Sequence, residues 1–76
     1  MKTMQLGDVL SGQKAKVKKV GGIALLKKRL LDMGITPGCL VKVERVAPLG
    51  DPVEITVRGY SLSLRKEEAD VIMVEL

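Results

Sequence analysis

The strongest constraint on this chain is a two-residue period that recurs in short bursts. KAKVKKV (14–20), CLVKVERVA (39–47), VEITVR (53–58), SLSLR (61–65) and DVIMVEL (70–76) each place apolar residues at a spacing of two, most cleanly in VEITVR. Successive side chains of a strand point to opposite faces, so such alternation marks strands with one wet and one dry face. Ala15 and Val17 face one way while Lys14, Lys16 and Lys18 face the other. Val53, Ile55 and Val57 likewise oppose Glu54, Thr56 and Arg58. Five antiparallel strands in 76 residues pool their dry faces most readily as a small barrel or a bent two-sheet sandwich. Closure also removes exposed strand edges.

The length predicts one domain over residues 1–76. A chain of this size buries roughly 60% of the surface that its unfolded form exposes, so the core is small. Tyr60 is the only aromatic residue, which leaves Val, Leu and Ile to fill that core.

One segment has a different period. In IALLKKRLLDM (23–33), Ile23, Leu26, Leu30 and Met33 share a helical face, and Leu25 falls off that stripe. Gly34 fits the left-handed position just beyond a helix C-terminus. Pro37-Gly38 suits the centre of a type II turn, so a strand follows the helix almost at once. This one helix, between the first and second strands, is expected to plug an end of the barrel. Residues 1–13 read as an irregular lead-in that tucks Leu6 and Leu10 against the domain. PLGDP (48–52) is a turn cluster in which Asp51 is expected to make an Asx-type hydrogen bond. Gly59-Tyr60 reads as a tight hairpin connection with glycine first. KEEA (66–69) reads as a polar turn or a single helical turn, and Ile72, Val74 and Leu76 are expected to point inward.

The chemistry available is narrow. The chain has no histidine, which removes the commonest general base and the commonest transition-metal ligand together. Cys39 is the only cysteine and has no activating base in sight; a small strand-start residue is its plainer role. Zinc asks for about four nitrogen or sulfur ligands, and Glu67, Glu68 and Asp70 lack the spacing of a calcium loop. No phosphate-binding glycine motif occurs. Neither an enzyme nor a resident cofactor is therefore expected; at most a weak or bridging transition metal would use Cys39 or carboxylates.

The formal charge is +4, with lysines concentrated at 14–19 and a basic cluster at 27–29. A free-standing nucleic-acid-binding barrel is one alternative, but single-strand binders add aromatic platforms that a lone tyrosine cannot supply. No specific nucleic acid is expected. No apolar run approaches the roughly 18 residues of a membrane span, so no direct membrane insertion is expected. The N-terminus lacks the long apolar region of a signal peptide. A single cysteine agrees with a reducing, cytoplasmic setting.

RLLDMGITPG (29–38), followed by APLGDP (47–52), VRG (57–59), SLR (63–65) and EEADVIMV (67–74), resembles the FeoA family of small ferrous iron transport accessory proteins. LGDVLSGQKAKV (6–17) sits in a similar position, so the resemblance covers nearly the whole chain. The domain is also similar to the C-terminal SH3-like domain of iron-dependent repressors, without their DNA-binding domain. The resemblance implies an SH3-like barrel and a cytoplasmic accessory to FeoB, a membrane ferrous-iron transporter with a cytosolic GTPase domain. It brings no catalytic residue set.

With no histidine, an interaction module suits the residues better than an iron carrier. The expected partner surface lies around the helix and the PLGDP turn. Leu25 and Arg29 project from a rigid element, and Leu49 stands at a turn tip with no evident core role. Gly34, Pro37, Gly38, Asp51 and Gly59 are assigned to turn geometry.

Overall fold

The computed structural model describes residues 2–76. It contains β1 (Thr3–Gln5), β2 (Lys14–Val20), helix α1 (Ala24–Asp32), β3 (Leu40–Val46), β4 (Val53–Val57), β5 (Tyr60–Leu64), helix α2 (Lys66–Asp70) and β6 (Ile72–Glu75). The strands form one antiparallel sheet in the order β1-β6-β2-β3-β4-β5, with β1 and β5 at its two edges, wrapped around a single aliphatic core. The five alternating segments are all strands, and a sixth precedes them. β1 was invisible to periodicity because its burial runs exposed, half-buried, exposed over only three residues. Its pairing with β6 forms it, through Thr3↔Glu75, Met4↔Val74 and Gln5↔Met73.

The dry faces meet as the alternation requires. Ala15, Val17, Val41, Val43, Val53, Ile55, Val57 and Leu64 are buried in one aliphatic cluster, joined by Ile72 and Val74 from β6. A register shift in β2 between Val17 and Lys19 lets Val17 and Val20, three residues apart, both enter the core. Three inward assignments are corrected. Leu10 is 69% exposed and Val9 is buried in its place, because a 3₁₀ turn over Leu6–Asp8 changes the period. Ile23 is exposed because it caps α1 in extended conformation and never joins the helical face. Leu76 lies beyond the end of β6 and is exposed.

Between α1 and β3 the chain reverses through a Schellman motif. Gly34 N donates to Leu31 O at 3.0 Å and Ile35 N donates to Leu30 O at 3.1 Å, with Gly34 at φ +94°. The hydrophobic contact that accompanies this motif is supplied by Leu30 and Ile35, both fully buried. A second turn follows at once: Cys39 N donates to Thr36 O at 3.1 Å across Pro37-Gly38, where Gly38 has φ +93°. β3 therefore begins at Leu40, and Cys39 sits half-buried just before it.

The β4–β5 connection differs from the expected Gly59-Tyr60. Val57 pairs with Tyr60, so the two loop residues are Arg58 and Gly59. Both have positive φ, +50° and +86°, the geometry of a type I′ turn whose twist matches that of the flanking strands. The placement has a consequence for α1. The Tyr60 hydroxyl donates to Met33 O at 2.8 Å, Arg58 Nε donates to Gly34 O at 3.2 Å, and Arg58 Nη2 donates to Thr36 Oγ1 at 2.8 Å. The hairpin tip thus holds the end of the helix.

This packing makes Gly34 doubly intolerant of a side chain. A Cβ there would lie 2.7 Å from the Tyr60 hydroxyl oxygen, at a φ that costs L-residues about 1–2 kcal/mol. Gly34→Ala is expected to destabilise the domain by more than that backbone cost alone, measured by urea denaturation. Its penalty should shrink in a Tyr60→Phe background, where the hydroxyl is gone. Equal penalties in the two backgrounds would show that the contact is not made.

Candidate functional site

α1 is fixed on its inner side by Leu30 in the core and at its C-terminal end by the hairpin tip. Its outer side is left bare. Leu25, 77% exposed, forms a shallow groove of about 440 Å³ with Lys28, Arg29, Asp32 and Met33. From Leu25 these are the next residues of one helical face, at i+3, i+4, i+7 and i+8. The sequence stripe that assigned Ile23, Leu26, Leu30 and Met33 to the core could equally have identified this opposite face. Met33 borders both, being half-buried against the core cluster.

Arg29 has a second role that was not legible. Its guanidinium approaches the Glu68 carboxylate of α2 at 3.8 Å, and the Glu68 side chain is only 7% exposed. Glu68 also accepts a 2.8 Å hydrogen bond from Arg65 N, which closes the first turn of α2. Arg29 therefore joins the two helices while most of its own side chain stays in solvent. Nothing in local sequence places a residue of 23–33 against one of 66–70.

Leu49 is 95% exposed, but it does not line the α1 groove. It occupies a 3₁₀ turn over Pro48–Gly50 with φ +69°, an unfavourable setting for a branched apolar residue. The turn is closed by Gly50 N donating to Ala47 O at 2.9 Å. Asp51 does not make the expected Asx-type bond. Its Oδ1 accepts from Lys66 N at 3.4 Å, because the turn packs beside the start of α2. The chain of contacts from the PLGDP turn to α1 thus runs through α2: Asp51 to Lys66, then Glu68 to Arg29. Lys66 is itself held above the ordinary lysine pKa, first by a hydrogen bond to Asp70 and then by the charges of Asp70, Asp8 and Asp51. That small contribution is present below the ordinary lysine value and fades as pH rises through the raised one.

No group of three His, Cys, Asp or Glu side chains that could hold a metal ion occurs among the described residues. No described helix is long and apolar enough to cross a membrane.

If Leu25 is a display residue and Arg29 also a tether, their substitutions separate. Leu25→Asp is expected to change unfolding free energy by less than about 0.5 kcal/mol, as for other surface positions. Arg29→Ala should lower it by about 1 kcal/mol or more, because the largely buried Glu68 carboxylate loses its cation. Equilibrium urea denaturation of both variants checks the order, and a larger loss from Leu25→Asp would place that side chain in the core.

Comparison with known proteins adds the family context. A family model described as the FeoA domain matches residues 4–76. The chain is 40% identical over 73 residues to the Fe(2+) transport protein A/Fe(2+) transporter FeoB fusion protein of Porphyromonas gingivalis. That stretch is 96% of this chain but only 9% of the fusion protein's length. The solution structure of a FeoA-like protein from Clostridium acetobutylicum is 41% identical and superposes with a TM-score of 0.90, covering 100% of this chain and 88% of that one. A crystal structure of FeoA from Stenotrophomonas maltophilia, a prokaryotic SH3 domain protein complexed with zinc, is 25% identical with a TM-score of 0.83, covering 95% of this chain and 89% of that one.

Proposed function

This chain belongs to the FeoA domain family, and from that premise we propose that it is an accessory of ferrous iron uptake that docks on a FeoB-type transporter. The observation that carries the proposal is the fusion in Porphyromonas gingivalis, where a domain 40% identical to this chain is covalently part of a FeoB transporter protein. Fusion holds two modules at high effective concentration and favours pairs that work in contact.

The docking face on this chain is the outer side of α1. Leu25 supplies an apolar anchor on a rigid element, and Lys28, Arg29 and Asp32 supply a charged rim that fixes orientation. The partner's matching face is on its cytosolic GTPase domain, which places this chain in the cytoplasm. The domain acts by contact and changes the partner's nucleotide cycle without catalysing a step and without a resident cofactor. Its lack of histidine and of an evident acid-base pair supports that division of labour. Leu49 lies outside the α1 groove and contributes a separate contact at the PLGDP turn.

The test is a pull-down of the purified chain against the GTPase domain and against the full transporter in detergent, with and without guanine nucleotide. Nucleotide-dependent capture is expected. Leu25→Asp should weaken it by tenfold or more, about 1.4 kcal/mol, with the fold intact by circular dichroism. Capture unchanged by Leu25→Asp would move the interface elsewhere, and no capture in any state would overturn the docking role. The zinc complex of the Stenotrophomonas maltophilia relative favours one second reading, a domain that carries or is bridged by a transition metal. Anaerobic ferrous iron titration of this chain and of Cys39→Ser distinguishes it, since that reading requires stoichiometric binding.

A further inference from the structure

The solvent face of the sheet carries a feature that neither the barrel nor the α1 surface requires. Leu40 projects outward from β3 and is 66% exposed. Lys16 stands directly opposite it on β2, and the neighbouring pair in the same register is Lys14↔Lys42. Like charges placed opposite one another across two strands destabilise the pairing, so folding alone gives no reason for this arrangement. On the other side of Leu40 lies Arg58 at the hairpin tip. Leu40 and Arg58 form the common wall of two adjoining grooves. One, of about 590 Å³, runs along Pro37, Gly38 and Cys39. The other, of about 230 Å³, reaches Lys14, Lys42 and Thr56.

The charges around this site are unevenly satisfied. Lys42 is 3.8 Å from Glu44, which also accepts a 2.7 Å hydrogen bond from the Thr56 hydroxyl. Glu75, the register partner of Lys16 on β6, approaches Lys18 instead, at 4.0 Å. Among the described residues no ion pair engages Lys14, Lys16 or Arg58. Arg58 is nevertheless held in place, since Nε and Nη2 donate to Gly34 O and Thr36 Oγ1. A guanidinium fixed by two intramolecular bonds keeps donors to spare, including Nη1, and has little rotamer freedom left to lose on binding.

We propose that the Leu40–Arg58 grooves form a second docking site, separate from α1, for an extended acidic peptide segment of a partner protein. Carboxylates of the segment pair with Lys14, Lys16 and the pre-organised Arg58, and an apolar side chain packs against Leu40. Charge complementarity selects the acidic ligand. The paired concavities select a peptide, whose side chains fill them, over a bilayer surface, which presents none. Nucleic acid is disfavoured because the site has no aromatic side chain to stack on.

The test is fluorescence anisotropy of the full chain with a labelled peptide of sequence Glu-Asp-Leu-Glu-Asp-Leu-Glu-Asp, against its Gln/Asn counterpart. Binding of the acidic peptide is expected to disappear at about 1 M salt, where the Debye length is about 3 Å. The double substitution Lys14→Glu with Lys16→Glu should weaken it roughly tenfold or more, and Leu40→Ser should weaken it with less change in salt dependence. Lys27→Glu with Lys28→Glu on α1 should leave it unchanged, which separates this site from generic basicity and from the docking face of α1. Circular dichroism confirms that each variant is folded. Equal binding of the neutral peptide, or no response to the Lys14 and Lys16 reversal, would overturn the proposal. So would binding only to phosphatidylserine vesicles or to duplex DNA, assayed in parallel.

Discussion

The end of helix α1 is held by two hydrogen-bonding side chains that arrive from the β4–β5 hairpin, distant in the chain. A helix C-terminus leaves carbonyl oxygens without intrahelical partners. The Schellman turn at Gly34 satisfies those of Leu30 and Leu31, and the carbonyls of Met33 and Gly34, which follow, accept from Tyr60 and Arg58. Both donors belong to the β4–β5 hairpin, whose inward face, Val53, Ile55, Val57 and Leu64, is itself part of the core. The helix stop, the hairpin tip and the start of β3 are therefore one polar unit lying over a dry aliphatic cluster. Leu30 and Ile35 anchor it from below.

That unit explains how a chain with one aromatic residue makes a barrel. Large rings commonly supply the bulk that fixes element orientation in small cores. Here the core is almost wholly Val, Leu, Ile and Ala, and the single tyrosine works at the rim by its hydroxyl rather than in the core by its ring. α2 closes the other side. It packs against the 3₁₀ turn after β1, takes Asp51 on its first N–H and reaches α1 through Glu68 and Arg29. The two helices and the turn between β3 and β4 thus share one set of contacts, so the outer face of α1 is presented on a braced element.

The proposed docking surfaces use what this bracing leaves exposed. Leu25 has no packing role and sits among charged neighbours on a helix that cannot easily reorient. Leu40 and its lysines occupy the sheet face just after the Gly34–Gly38 reversal, and Arg58 at the hairpin tip bonds to that reversal while lining the same groove as Leu40. The same arginine both completes the helix stop and walls the groove, so the geometry of the second surface is tied to the integrity of the first.

The sequence by itself determined the five alternating strands, the helix and its stop, and the aliphatic core. Each is a local matter: side-chain period fixes which face is dry, and Gly34 and Pro37-Gly38 fix where the chain reverses. Leu25 was also legible as exposed, because a helical stripe defines its own opposite face. β1 was not, since three residues carry too little period and exist as a strand only through pairing with β6. Arg29 against Glu68, Asp51 on Lys66, and the Arg58-Gly59 loop reaching the end of α1 were decided by tertiary structure. So was the gathering of Lys14, Lys16, Lys42 and Arg58 around Leu40. These pairings join residues far apart in the chain, and which polar group meets which is settled only when the folded sheet fixes the register between strands.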